Sequence, residues 1–201
     1  GHSPGNIAGA DVCGGSSAIK ENNSELKEAK KIKIPIVPRA QMLAELMRFK
    51  KGIAVGGSHG KTTTTSLITS ILASAGFDPT YVLGGRLCGT SIGAKLGKSD
   101  FLVAEADESD GSFLKLSPMI AVITNIDRDH LKFFENNFSK LKEAFISFVH
   151  TLPFYGPVIM FIDDPGIKGI VSRISRPVIG VGFSENAAIR ATQIKFKSLT
   201  T

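Results

Sequence analysis

The sequence predicts an α/β fold in which a central parallel sheet carries helices on both faces. Three observations support this prediction. Short, almost continuously apolar runs alternate with segments of helical periodicity from residue 51 onward, as in strands that are buried on both faces. One of these runs leads directly into a glycine-rich turn and a helix, and Gly76 then provides a helix stop before the next run.

Five apolar runs are predicted to form the strands of this sheet. They are residues 52–55, 80–83, 101–104, 120–124 and 158–162. Residues 64–72 have helical apolar spacing, and residues 137–150 are predicted to form a second helix on the sheet. In that second helix the core positions are occupied by Phe138, Leu141, Phe145 and Phe148.

Residues 1–48 are predicted to form part of a first domain, and residues 49–201 a second one. The first part contains a possible strand within residues 6–17, which Gly14 and Gly15 would weaken, a helix at 24–31 and an extended segment at 34–38. An amphipathic helix follows at 39–49, with an apolar face formed by Met42, Leu43, Leu46 and Met47. A segment of this size buries too little surface alone, so it must pack against other residues.

Composition excludes several classes of protein. The 201 residues carry a formal net charge of +6, but no basic run alternates with aromatic side chains that would stack on bases, so nucleic-acid binding is not expected. No apolar run is long enough to cross a membrane, and the first residues do not resemble a signal peptide, so a cytoplasmic location is expected. Cys13 and Cys88 are interpreted as free thiols. The oligomeric state is left open.

The segment GGSHGKTT at positions 56–63 is predicted to bind phosphate. It lies between a strand and a helix, where glycines allow close backbone approach and the N–H groups of the helix N-terminus point towards an anion. Lys61 adds a positive charge, which is interpreted as a surface charge, and the hydroxyl of Thr62 is a suitable Mg²⁺ ligand. The segment departs from GxxxxGK[ST] because Val55 occupies the position of the first glycine. It indicates a sheet of the P-loop NTPase type.

Two further segments follow predicted strands, at the edge where parallel sheets bind ligands. Residues 105–110, EADESD, place four carboxylates beside a site that needs a divalent cation, and at least one is expected to contact metal or water. Residues 124–130, TNIDRDH, end in His130, a candidate ligand for a second cation. His59 lies within the phosphate segment and would either contact phosphate or fill the turn.

Taken with these motifs, the segments GHSPGNI, SSAIKENN, IPIVPRAQMLAELMRFKKGIAV and GGRLCGTSIGAKLG resemble the Mur ligase family over most of residues 1–183. The resemblance implies an ATP-dependent ligase of peptidoglycan synthesis that joins L-alanine to UDP-N-acetylmuramate through an acyl phosphate. It implies ATP and Mg²⁺ as cofactors. It also implies that residues 1–48 are a partial Rossmann-like UDP-substrate domain and that residues 49–201 belong to the central ATP-binding domain.

The resemblance assigns roles by position. Lys61, Glu105 and His130 would be catalytic, and Thr62, Glu105 and His130 would bind Mg²⁺. The ATP phosphates would be bound by Gly57, Ser58, His59, Gly60, Lys61, Thr62 and Thr63. The UDP-sugar would lie against Gly84, Gly85, Arg86, Ser16 and Ser17.

The chain begins after the family's UDP-reading glycine turn and lacks its adenine-binding helix and its C-terminal domain, so we expect a fragment that is inactive alone. Three alternatives stay open. A sister ligase, such as another Mur ligase or a folate polyglutamate ligase, would share the loop but not the wording of the two later segments. A P-loop kinase would show the full GxxxxGK[ST] pattern and a separate base. A non-catalytic basic nucleotide-binding module would tolerate loss of Lys61.

Overall fold

A computed structural model describes residues 1–16, 19–84 and 93–194, and its fold is of the predicted α/β class. The strands, in chain order, are β1 Cys13–Gly15, β2 Ile36–Pro38, β3 Lys51–Gly56, β4 Thr80–Val82, β5 Ala94–Lys95, β6 Phe101–Glu105, β7 Ile120–Ile123, β8 Val158–Phe161, β9 Val178–Gly182 and β10 Ile189–Arg190. The α-helices are α1 Ser24–Lys31, α2 Arg39–Arg48, α3 Lys61–Ser74, α4 Phe138–His150 and α5 Pro165–Lys168. Short 3₁₀ helices cover Pro4–Ile7, Ser112–Lys115, Leu131–Phe134 and Val171–Arg173.

Eight strands form the central sheet in the order β10-β9-β8-β7-β3-β6-β4-β5. Every neighbouring pair is parallel except β4 and β5. The five predicted strands are present within one or two residues of their expected bounds. The sequence did not predict β5, β9 and β10: two are dipeptides defined only by their pairing, and β9 contains glycines that weaken its strand signal.

One face of the sheet is covered by α2 and α4. Alternate residues of the central strands, including Ala54, Ala104 and Ala121, form a single core cluster with Met47 of α2 and Phe145 of α4. The helix predicted over residues 137–150 is confirmed as α4. The Asn137 side chain caps its N-terminus by accepting backbone N–H groups, and Leu141, Phe145 and Phe148 are fully buried.

The other face of the sheet is covered by α3, which packs against β3 and β6. The apolar periodicity of this segment predicted the helix but not its buried face. Thr65, Ser66 and Thr69 are buried, whereas Leu67 and Ile71 are exposed. Small side chains allow a close approach to the sheet. The Thr65 hydroxyl donates to the Lys61 carbonyl oxygen at 2.9 Å and the Thr69 hydroxyl to that of Thr65 at 2.8 Å, so both are buried with their hydrogen bonds satisfied.

Residues 1–48 contain a parallel pair, β1 and β2, joined through α1. The strand β1 forms at Gly14 and Gly15, the residues expected to weaken it, because β2 supplies a partner. The helix α2 is confirmed, but Leu46 is 53% exposed and does not belong to its buried face, which contains Ala44 and Met47. Met47 packs against Gly52 of β3, where an added Cβ would lie 2.3 Å from Met47 Cγ. The N-terminal segment therefore shares the core of the central sheet.

Within the part of the chain that the structure describes, no helix combines the length and apolar character that a membrane crossing requires.

Candidate active site

The glycine loop after β3 is held by the segment that follows β7. The Ser58 N–H donates to the Asn125 carbonyl oxygen at 3.1 Å. The Asn125 side chain then pairs with the backbone of His59: its Oδ1 accepts the N–H and its Nδ2 donates to the carbonyl oxygen, both at 2.9 Å. The Ser58 hydroxyl accepts the Asp127 N–H at 2.9 Å, and the Thr124 hydroxyl donates to the His59 carbonyl oxygen at 2.6 Å. These contacts fix the path of the loop before any ligand binds.

Two glycines give the loop its shape for different reasons. Gly57 has φ +134°. A Cβ at this position would lie 2.1 Å from Thr124 Oγ1 and 3.0 Å from the Asn125 carbonyl oxygen. Gly60 has φ +80° at the N-cap of α3, and no atom lies within 4 Å of its Cβ position. Gly57 thus allows close packing against the segment after β7, whereas Gly60 leaves open space at the helix N-terminus, where an anion is favoured.

Lys61 is not the surface charge that the sequence suggested. Its side chain is only 14% exposed, and Nζ donates to Gly57 O at 2.8 Å, to Ser58 O at 3.4 Å and to Glu108 Oε2 at 2.9 Å. The Glu108 side chain is fully buried. The ammonium group is therefore folded back over the loop and forms an ion pair inside the protein.

The four carboxylates at and after the end of β6 have different surroundings. Asp107 and Asp110 shape the loop, since their Oδ1 atoms accept the N–H groups of Ser109 at 3.0 Å and Ser112 at 2.9 Å. Burial raises the pKa of Asp110, but hydrogen bonds from Ser112 and the charge of Arg39 lower it by more than burial raises it. The pKa of Asp110 therefore lies below its ordinary value. Of the four, Glu108 pairs with Lys61, and Glu105 has a buried oxygen that is not used in a turn.

Glu105 ends β6 beside Val55, the residue before the glycine loop. Its Oε1 is buried and has no hydrogen-bond partner. A buried carboxylate oxygen without a donor carries a desolvation cost that a cation or an ordered water would offset. This carboxylate therefore fits a hard cation such as Mg²⁺, and the role of Glu105 as a metal ligand remains a prediction.

The two histidines at this sheet edge are exposed. His130 has φ +53°, its ring is about half exposed, and Nε2 lies 3.7 Å from Asp129 Oδ2. His59 Nε2 lies 3.7 Å from Asp127 Oδ2. His130 follows β7 and Glu105 ends β6, and these strands flank β3, so both residues lie at the carboxyl edge. Their convergence on Thr62 remains a prediction.

A cleft of about 740 Å³ separates the N-terminal segment from the acidic loop. Its walls include Ser16, Arg39, Glu105 and Asp110. A smaller cavity of about 210 Å³ reaches Gly84 and again Glu105. Two of the predicted substrate residues thus lie on cavities that Glu105 shares. The other three, Ser17, Gly85 and Arg86, lie outside the described residues.

Across residues 1–16, 19–84 and 93–194, no three His, Cys, Asp or Glu side chains are arranged to hold a metal ion by themselves. Mg²⁺ commonly takes one or two carboxylates and completes its shell with waters and substrate phosphates. The single unpartnered oxygen of Glu105 fits that pattern, and the role of the Thr62 hydroxyl remains a prediction.

Sequence reasoning missed Glu108 and Asn125 as contributors to the site. Both lie in segments that the sequence singled out, but nothing in their spacing indicates a partner. Glu108 meets Lys61 across 47 positions and Asn125 meets His59 across 66. The sequence offered only a weak indication of these contacts. Glu108 and Asn125 each follow a predicted strand, and both strands neighbour the strand that precedes the loop.

Two family profiles match the chain. Residues 1–51 match the Mur ligase catalytic domain and residues 55–201 match the Mur ligase middle domain.

Curated relatives include the UDP-N-acetylmuramate–L-alanine ligases of Thiobacillus denitrificans, 54% identical over 98% of the chain, and Delftia acidovorans, 52% identical over 97%. The chain spans about 42% and 41% of their lengths. Among solved structures, the UDP-N-acetylmuramate–alanine ligase of Thermotoga maritima is 29% identical with a TM-score of 0.71, over 90% of this chain and 41% of that one. A UDP-N-acetylmuramate:L-alanyl-γ-D-glutamyl-meso-diaminopimelate ligase of Neisseria has the same fold, with 24% identity and a TM-score of 0.76, over 93% and 63%.

Proposed function

The chain belongs to the Mur ligase family, and from this premise we propose that its protein is an ATP-dependent ligase that joins L-alanine to UDP-N-acetylmuramate. The named relatives at 52–54% identity support the choice of these substrates. The observation that carries the proposal is the arrangement of the glycine loop, with Lys61 folded over it and the unpartnered oxygen of Glu105 on the neighbouring strand.

The reaction transfers the terminal phosphoryl group of ATP to the lactyl carboxylate of UDP-N-acetylmuramate and leaves ADP. The amine of L-alanine then displaces inorganic phosphate as the amide forms. A carboxylate is a poor nucleophile towards a polyanion, so the site must supply positive charge. The N-terminus of α3 provides N–H donors and Lys61 an ammonium group. The loop before α3 is held by the segment after β7, and the ammonium group is held by the Gly57 carbonyl oxygen and by Glu108.

Glu105 and Thr62 would hold a magnesium ion beside the loop. Mg²⁺ supplies Lewis-acid stabilisation of the charge on the phosphoryl oxygens when it is bound. Glu105 is suited to this role because its Oε1 is buried without a partner, while Asp107 and Asp110 are engaged in turns. His130, whose ring is about half exposed and lies 3.7 Å from Asp129 Oδ2, would serve a second ion.

The cleft that contains Ser16 and Glu105 is where the UDP-sugar would lie. It joins the N-terminal segment to the end of β6, so a sugar bound there would place its carboxylate near the phosphate loop. A sister ligase remains the second candidate, because its reaction uses the same loop and differs only in the amine and acceptor. The proposed ligase and a sister ligase are distinguished by the substrates they accept, not by the geometry of the loop.

The first test is an ATP titration of the 201-residue chain by calorimetry, with and without Mg²⁺. We expect saturable binding that Mg²⁺ strengthens and Lys61→Ala weakens by about tenfold or more. An ATP affinity that changes neither with Mg²⁺ nor with Lys61→Ala would contradict the assignment of the loop as a phosphate-binding site.

The second test is phosphate release with UDP-N-acetylmuramate, ATP and Mg²⁺, with L-alanine exchanged for glycine or D-glutamate. The Thiobacillus denitrificans relative provides the reference. Preference for another amine would favour the sister ligase. That the 201-residue chain alone ligates slowly remains a prediction, which the same assay measures.

A further inference from the structure

Glu108 is a buried charge that the proposed reaction does not use. Its side chain is fully buried, Oε2 accepts from Lys61 Nζ at 2.9 Å, and Oε1 has no hydrogen-bond partner. Buried glutamates are rare unless they are paired, and a carboxylate with one unsatisfied oxygen is costly to keep. The residue therefore calls for a role that the acidic loop's turns do not explain.

The three protons of Lys61 are all engaged inside the protein. Gly57 O, Ser58 O and Glu108 Oε2 each accept one, at 2.8, 3.4 and 2.9 Å. The two carbonyl contacts hold the ammonium over the loop, where a bound phosphate would lie. Glu108 takes the remaining donor and cancels the formal charge of the lysine. A phosphate oxygen must displace it or share its proton.

We propose that Glu108 is the resting counter-ion of Lys61 and competes with nucleotide phosphate for its ammonium group. The carboxylate occupies the donor that would turn to the phosphate, and it keeps Lys61 folded over the loop until nucleotide arrives. Its negative charge also repels the polyanion from close range. Occupation of the lysine's donor and repulsion of the polyanion both weaken nucleotide binding. Glu108 therefore lowers the affinity for nucleotide, although it also positions Lys61. This inference rests on the proposed nucleotide binding at the loop.

The test is the dissociation constant of ATP for the 201-residue chain, measured by calorimetry in excess EDTA and again with Mg²⁺. Glu108→Gln keeps the side-chain shape and removes the charge, and we expect about tenfold tighter binding in both arms. Glu108→Asp withdraws the carboxylate by one methylene and should give an intermediate value. That conservative variant keeps the test decisive if the glutamine variant does not fold.

The matched control is Glu143→Gln. It makes the same chemical change and the same change in net charge, but in an exposed pair with Arg173 that involves no residue of the loop. Its ATP affinity should equal that of the wild type. An equal gain in the control would mean that net charge alone acts, and it would overturn the role of Glu108.

The outcomes separate this inference from the proposed function. If the wild type binds ATP but both Glu108 variants bind it more weakly, Glu108 supports phosphate binding and the competition is wrong. If Glu108→Gln weakens binding only in the Mg²⁺ arm, Glu108 is a metal group and the counter-ion role is again wrong. If the wild type binds no ATP in either arm, the nucleotide site itself fails and both proposals fall.

Discussion

At the scale of single residues, the most consequential contact is the ion pair of Lys61 and Glu108. A lysine in a phosphate loop is expected to affect ligand binding alone. Here its loss would leave a fully buried carboxylate without its partner, and breaking a buried pair by removing one member is strongly destabilising. In addition to its proposed role in binding, the same side chain is therefore expected to contribute to stability.

Lys61→Ala is expected to lower the free energy of unfolding by about 3–5 kcal/mol. Adding Glu108→Gln should recover part of that loss, because the uncompensated charge is gone. Urea denaturation followed by circular dichroism measures both. The comparison variant is Arg48→Ala, which breaks the exposed pair with Glu45 and should cost no more than about 1 kcal/mol. Equal effects at the two sites would show that the Lys61 pair is not buried in solution.

At the scale of elements, the phosphate loop depends on its attachment to the segment after β7. Its two positive-φ glycines make different contacts, and this difference gives a direct test of the attachment. An added methyl at Gly57 meets the Thr124 hydroxyl and the backbone of Asn125, which cannot rotate away. A methyl at Gly60 meets open space.

Gly60→Ala should cost about 1–2 kcal/mol of unfolding free energy, the strain of a left-handed non-glycine residue. Gly57→Ala should cost more than about 3 kcal/mol, because overpacking adds to that strain. Denaturation of the two variants under the same conditions gives the comparison. The reverse order would mean that the loop does not pack against the β7 segment.

The ends of β8 and β9 are joined by Asp163, which accepts the N–H groups of Phe183 and, at 3.2 Å, Ser184. These hydrogen bonds, that from Phe183 above all, lower the pKa of Asp163 below its ordinary value. A carboxyl with a lowered folded-state pKa stabilises the protein above its unfolded-state pKa. That stability is lost as the pH falls through the folded-state value.

We therefore expect the wild type to lose its advantage over Asp163→Asn as the pH falls below about 4. Near pH 7 the wild type should be the more stable of the two. The measurement is the urea midpoint of each protein between pH 7 and pH 3. A difference between the proteins that stays constant over this range would contradict the hydrogen-bonded carboxylate.

At the scale of the whole molecule, the N-terminal segment and the central sheet share one core. Met47 of α2 is 1% exposed and belongs to the same cluster as the central strands. The cleft that contains Ser16 and Glu105 lies between these two parts. Packing of α2 on β3 thus fixes how the two walls of this cleft lie relative to each other.

Met47→Ala is expected to lower the free energy of unfolding by about 2–5 kcal/mol, because it leaves a cavity in the shared core. Leu46→Ala, at the neighbouring and 53% exposed position of the same helix, should change it by less than about 1 kcal/mol. Denaturation should show a single transition in both variants. Two separate transitions would mean that the N-terminal segment unfolds independently of the sheet.

The sequence by itself determined the main strands and helices, and it predicted which edge of the sheet would bind a ligand. Strand and helix patterns are local, so the strands around the glycine loop and the helix after it were predicted within a few residues. The rule that ligands bind at the carboxyl ends of parallel strands then selected Lys61, Glu105 and His130. The likeness to Mur ligases supplied the substrates, which no local pattern contains.

Only the tertiary structure decided which partners the side chains of the loop have. The pairs Lys61–Glu108 and His59–Asn125 join positions 47 and 66 residues apart, and their formation depends on strand order and loop path. The burial of Thr65 and Thr69 in place of Leu67 and Ile71 likewise depends on how closely α3 approaches the sheet. Periodicity describes one element at a time. The partner that buries a side chain, or neutralises its charge, comes from another part of the chain.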